Sequence, residues 1–208
     1  MDDQPAKRRG RPPAGIRDAI VAATLELIEE QGLGGLTTKE VAVRAGASEA
    51  SVYYHFKDKV GLVQAVIEEG LEPLREIDAG MFALIAERPL DEGLDRVAAA
   101  FERFFTRVMP VFAAIQTNAE LRRAFGERMA AQGLGPHRGV AVVSAYLADQ
   151  RDRGRVDTGA DTEAAAIMLM GACFLRVFNR HMLGTKGGRL PSREQTVQGL
   201  ARLLARRA

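Results

Sequence analysis

Cysteine is almost missing from this sequence: Cys173 stands alone in an apolar stretch, which excludes a disulfide framework and a cysteine-based metal cluster. Such usage fits a reducing, cytoplasmic compartment. Tryptophan is absent, and the three histidines, His55, His137 and His181, are scattered along the chain. No base stands beside Cys173, and Gly184-x-x-Gly187-Gly188 fails the phosphate-loop pattern. The reading is therefore a protein without catalytic residues, metal or cofactor. Long apolar runs are lacking as well. The longest, Ala164 to Leu175, has 12 residues counting glycine, short of the roughly 18 that a membrane helix needs. The basic N-terminus has no apolar core of the signal-peptide kind, so a soluble protein with no membrane partner is expected. A strong net charge is also missing, since the formal value is +2. The distribution is uneven, because residues 5 to 17 hold five Lys or Arg and no acid.

The densest local signals lie in residues 36 to 62. Thr37-x-x-Glu40 is a capping box that opens a helix. Val41, Ala42 and Ala45 give that helix a narrow apolar face, and Gly46 suits the left-handed residue that closes it. Ser48 then caps a second helix, with Glu49 in its first turn, where the helix dipole favours negative charge. Val52 and Phe56 point inward, leaving Glu49, Ala50, Ser51 and part of Tyr53, Tyr54 and His55 outside. Asp58 caps a third helix that begins at Lys59. Two short helices joined by a tight glycine-containing turn form a helix-turn-helix able to read a DNA major groove.

Thr37, Val41, Ala42, Ala45, Gly46, Ser48, Val52, Tyr53, His55, Phe56, Lys59 and Leu62 match, in order and spacing, the DNA-binding domain of the TetR family of bacterial transcriptional repressors, and the segment resembles it closely. Ala47 departs from the pattern, standing where a larger Val or Ile is usual. The resemblance implies phosphate contacts from Thr38, Tyr53, His55 and Lys59. It implies base-edge contacts from Lys39, Glu49, Ala50, Ser51 and Tyr54, with Ser48 among the DNA-binding residues. It also implies a homodimer, built as a four-helix bundle from the last two long helices before the C-terminal one. Two-fold symmetry then calls for double-stranded DNA carrying a palindromic operator, with half-sites about one helical turn, ~34 to 36 Å, apart or a related distance.

The whole chain reads as all-α, in three parts. Residues 1–14 are a disordered basic arm in which Arg9-Gly10-Arg11-Pro12 resembles the core of an AT-hook, placing Arg9 and Arg11 in a minor groove. Residues 15–61 are the helix-turn-helix domain, opened by an amphipathic helix from about Ile16 to Gln31. Residues 62–208 are a larger helical domain for regulation, ligand binding and dimerisation. A long helix after Asp58 carries apolar residues as far as Ile85, with a bend near Gly70 to Pro73. A helix from Asp91 ends at Pro110, and shorter ones follow over 111–118 and 119–132. Further helices cover Pro136 to Arg153, 161 to 183 and Pro191 onward. The helix at 161–183 is apolar nearly all round and is expected to be buried, and its small Ala and Gly residues suggest burial against a partner copy.

Phe101, Phe104, Phe105, Phe112 and Phe174, with Gln116 and Asn179, are candidates to line an apolar ligand pocket, although each phenylalanine also reads as ordinary core. The leading functional expectation is a repressor released by a small apolar or amphipathic effector. The alternatives are an activator, a DNA organiser without effector or, remotely, an enzyme acting on a hydrophobic substrate.

Overall fold

The computed structural model describes residues 15–75, 85, 87–184 and 189–205, so Arg9, Arg11 and the rest of the arm lie outside it. Among the described residues the regular structure is helical, and the chain divides into two compact units, Met1–Val66 and Ile67–Ala208.

In the first unit, α1 (Ile16–Gln31) buries Ile20, Ala23, Leu27 and Ile28 at helical spacing. Each such Ile or Leu removed from water contributes about 1.5 to 3 kcal/mol. Gly32 ends the helix at φ 66°, its N–H donating to the Ile28 carbonyl. α2 (Thr38–Arg44) and α3 (Glu49–Phe56) pack on it through Val41, Ala42, Val52 and Phe56, all buried. α4 (Lys59–Gly70) follows, and the division between the units falls within it. Arg44 ties α2 to α1 through Glu26 and Glu30, at 3.3 and 2.8 Å.

The second unit departs from the sequence reading in three places. The long helix expected after Asp58 stops at Gly70, within the stretch where the bend was expected, and a single turn, α5 (Glu72–Arg75), carries Pro73. Gly70 is there because of packing. A Cβ at Gly70 would lie 2.7 Å from Val108 Cγ1. The helical stretch expected over 76–84 lies outside the described residues.

The second departure is at Pro110. One helix, α6 (Leu90–Gln116), runs straight through it. An internal proline costs about 3 kcal/mol. Val108, Met109, Val111, Ala114 and Ile115 are all buried, so the apolar stripe continues past the proline, and burying those side chains offsets the lost hydrogen bond.

After α7 (Ala119–Ala131), capped by Asn118, and α8 (Pro136–Asp152) comes the third departure, α9 (Thr162–Leu183). By length and composition α9 could cross a membrane, which the 12-residue count concealed. Within one protomer it is not buried all round. Ala165, Ala166, Leu169, Cys173 and Val177 are buried, in a helix packed on α6, α8 and α10 (Arg193–Leu204). Ile167, Met168, Phe174, Leu175, Phe178 and Met182 are exposed. Within the buried seam, Arg176 Nε donates to Glu102 on α6 at 2.6 Å, and both side chains are largely shielded from solvent.

Candidate nucleic-acid interface

The geometry of α2 and α3 follows from their caps. Thr37 accepts from the Glu40 N–H at 3.1 Å, as the capping box requires. The reciprocal half differs from the expectation, because the Glu40 carboxylate accepts from the Thr37 hydroxyl, at 2.9 Å, instead of from its backbone N–H. Gly46 takes φ 62°, and the Ala47 N–H donates back to the Ala42 carbonyl at 2.8 Å. That closes α2 in a Schellman turn, a geometry that a Cβ at Gly46 would strain. Ser48 accepts from the Ser51 N–H, and the two hydroxyls lie 2.9 Å apart.

With Val52 and Phe56 buried, α3 presents Glu49, Ala50, Tyr53, Tyr54 and the following Lys57 to solvent. Tyr53 is 52% and Tyr54 75% exposed, too much for a pair of core aromatics. Thr38 and Lys39 stand at the start of α2, Thr38 half-buried and Lys39 exposed. The Thr38 hydroxyl donates to the Glu49 carboxylate at 2.8 Å, bringing the first turns of α2 and α3 together. Ser51 is half-buried.

Two of the expected contact residues also make contacts within the chain. His55 is half-buried between Tyr54 and Phe56, and its Nε2 is buried with no hydrogen-bond partner among the described residues. Lys59 donates from Nζ to the Leu33 carbonyl at 2.5 Å, and burial holds its pKa below the usual lysine value. Lys57 escaped the sequence reading. It ends α3 at φ 66°, is exposed, and donates its N–H to the Tyr53 carbonyl. No local pattern announces a non-glycine residue in that conformation.

Of the expected ligand-lining residues, Phe101, Phe105 and Phe174 form a chain of ring contacts with Phe104 and Phe178, their centroids 5.2 to 6.1 Å apart. Phe101 and Phe105 are buried, Phe104, Phe112 and Asn179 half-buried, and Phe174 and Gln116 exposed. Gln116 ends α6 and takes no part in this cluster. Cys173 lies beside it in the core, where burial pushes its thiol up to about 12 and keeps it from acting as a nucleophile at neutral pH.

A capped two-helix reader with an exposed polar and aromatic face, followed by a separate helical unit, defines a helix-turn-helix regulatory protein. Residues 20–66 match the family model described as bacterial regulatory proteins, tetR family, and residues 92–205 match that of the AefR-like transcriptional repressor, C-terminal domain. The second match alone covers more than half of the chain, which belongs to the TetR family. The HTH-type transcriptional repressor BepR of Brucella suis is 31% identical over 109 residues, 51% of this chain and 52% of that protein, so the match spans about half of that relative's length. Among solved structures, the fatty acid degradation regulator FadR of Bacillus halodurans has TM-score 0.66 at 19% identity, covering 94% of this chain and 96% of that one. FadR of Bacillus subtilis, solved in complex with stearoyl-CoA, has TM-score 0.63 at 21% identity, covering 90% and 97%. At these identities the two structures establish the shared fold.

Proposed function

We propose that the chain is a sequence-specific DNA-binding transcriptional repressor, acting as a cytoplasmic homodimer on a palindromic operator and released by a small apolar or amphipathic ligand. The observation that carries the reading is the exposed face of α3, with Glu49, Ala50 and Tyr54 held outward by the caps at Ser48 and Thr37. Lys39, Glu49, Ala50, Ser51 and Tyr54 read bases. Thr38, Tyr53 and the newly recognised Lys57 grip phosphates. Lys59 serves mainly to hold α4 against the loop at Leu33, and His55 fills the space beneath Tyr54. Residues 1–14 act as a basic arm, 15–61 as the reader and 62–208 as the regulatory part.

The dimer forms through α9. A contiguous apolar face carrying Ile167, Met168, Phe174, Leu175 and Phe178 is costly to leave in water, and Gly171 within it permits close helix approach. Leu203 on α10 is 79% exposed, so α10 joins α9 in the four-helix interface in preference to α8, whose one exposed large apolar side chain among the described residues is Val142. The chain is read as a regulator, not an enzyme, because the families and relatives that it matches are regulators. FadR of Bacillus subtilis in complex with stearoyl-CoA supports an amphipathic effector.

The test is selection of binding sites from random DNA by the purified protein. An inverted repeat should emerge. An unstructured pool with no consensus would instead describe a DNA organiser and overturn the reading.

A further inference from the structure

The seam between α6 and α9 has two polar rungs, one helical turn apart. On the first, Arg176 meets Glu102, and the charges cancel. On the second, Arg180 meets Thr106 at 3.1 Å, a neutral hydroxyl. Thr106 already donates its own proton to the Glu102 carbonyl, at 2.7 Å, so it serves Arg180 only as an acceptor. Among the described residues Arg180 has no other hydrogen-bond or ion-pair partner. A guanidinium with five donors is thus held in place by one neutral contact.

This second rung opens onto a groove of about 530 Å³, lined by Glu102, Arg103, Thr106, Arg107, Arg180 and Arg193. Arg193 is pinned by two bonds to Asp95, at 2.7 and 3.1 Å, and Arg107 by Glu69. Such pinning fixes the orientation of the guanidinium groups before any ligand arrives, which lowers the entropic cost of binding. Planar guanidinium groups suit carboxylate and phosphate oxygens, to which they donate paired hydrogen bonds. No member of the phenylalanine cluster lines the groove.

We propose that this groove on α6, α9 and α10 is an anion-binding site, whose ligand presents a phosphate or carboxylate group to Arg180 across the rung that the chain itself leaves without a counter-charge. Binding there would tie the end of α9 to the start of α10 and to α6. The inference does not rest on DNA binding.

The test is isothermal titration of the full chain with sodium pyrophosphate and, separately, sodium hexanoate, at constant ionic strength made up with chloride. Saturable binding of one anion per protomer is expected. Arg180→Gln should weaken it about tenfold or more, the loss of roughly one charge-assisted contact. Arg96→Gln, an exposed arginine on α6 outside the groove, should leave it within about twofold, the level of a remote screened charge. Preference for pyrophosphate assigns a phosphate ligand, and preference for hexanoate a carboxylate. Either result supports the site. No saturable binding of either anion, or equal losses in the two variants, would overturn it, and neither outcome would touch the operator-binding reading.

Discussion

The hydroxyl of Thr38 donates to the carboxylate of Glu49 at 2.8 Å, joining the first turns of α2 and α3. An acid facing a polyanion is tolerable when its charge is occupied, and this bond occupies one oxygen and leaves the other to accept from a cytosine amino group. Glu49→Ala should relax sequence preference at one or two operator positions, by about 1 to 3 kcal/mol of discrimination. Competition binding across single-base operator variants measures it. Unchanged selectivity would remove Glu49 from base reading.

The two lysines after α3 should separate cleanly. Lys57 is exposed, so Lys57→Ala should weaken binding to all sequences alike and flatten the log–log salt slope by about 0.9 per lost phosphate contact. Lys59 is bonded to Leu33, so Lys59→Ala should instead lower stability by about 1 to 3 kcal/mol, as a charge-assisted hydrogen bond is lost. Urea titration and operator binding as a function of salt distinguish the two. The reverse pattern would return Lys59 to the phosphate backbone.

Arg44 gives a pH test. Its hydrogen bond holds the Glu30 carboxyl below the ordinary glutamate value. A depressed folded-state pKa contributes stability that is present above the unfolded value and is lost as pH falls through the folded one. The stability gap between the parent and Arg44→Ala should therefore be open at neutral pH and close in acid, below the carboxylate range. Because both groups are exposed to solvent, high salt should narrow the gap as well. A gap that does not change with pH would mean that Arg44 acts through packing alone.

Much of the reader was legible in the sequence because its signals are local. Thr37, Ser48 and Asp58 each accept from an N–H three residues ahead, and Gly46 closes its helix within five residues. What escaped depends on distant partners. Lys59 reaches Leu33, 26 positions away, and Thr38 reaches Glu49, 11 away, and no spacing rule announces either. Pro110 was misplaced as a helix end because propensity is a local quantity, whereas the burial that carries α6 through it belongs to the packed unit. The same holds for α9: an apolar composition all round does not reveal which side meets the chain's own core.

That distinction decides how the dimer should be tested. Ala165, 3% exposed, belongs to the protomer's own core, so Ala165→Glu should unfold the chain by burying an unpaired charge at a cost of several kcal/mol. Leu175, 53% exposed, should accept Glu without loss of fold and give a monomer that binds a full operator weakly. Analytical ultracentrifugation with circular dichroism reads both. A folded Leu175→Glu dimer would place the interface elsewhere.

The arm can be tested by deletion. Lys7, Arg8, Arg9 and Arg11 lie within five positions, and removing residues 1 to 13 should lower operator affinity and flatten the salt slope by roughly 1 to 3 per subunit. The loss should be larger on A·T-rich flanks, whose narrow minor groove concentrates negative potential. Equal affinity and slope with and without the arm, on either flank, would leave it no role in binding.

The Arg176–Glu102 pair also bears on how the second unit reaches a single arrangement. Apolar seams are forgiving of slippage, since one turn of leucine and alanine resembles the next. Moving α9 by four residues along α6 would bring Arg176 to the level of Ala98, which is fully buried and offers no counter-charge, while Arg180 took its place at Glu102. The mis-set state would bury an unpaired cation where the native one buries a matched pair. The ion pair thus acts as an alignment key: its net contribution to the native energy is small, and its value lies in what it makes the shifted alternative cost.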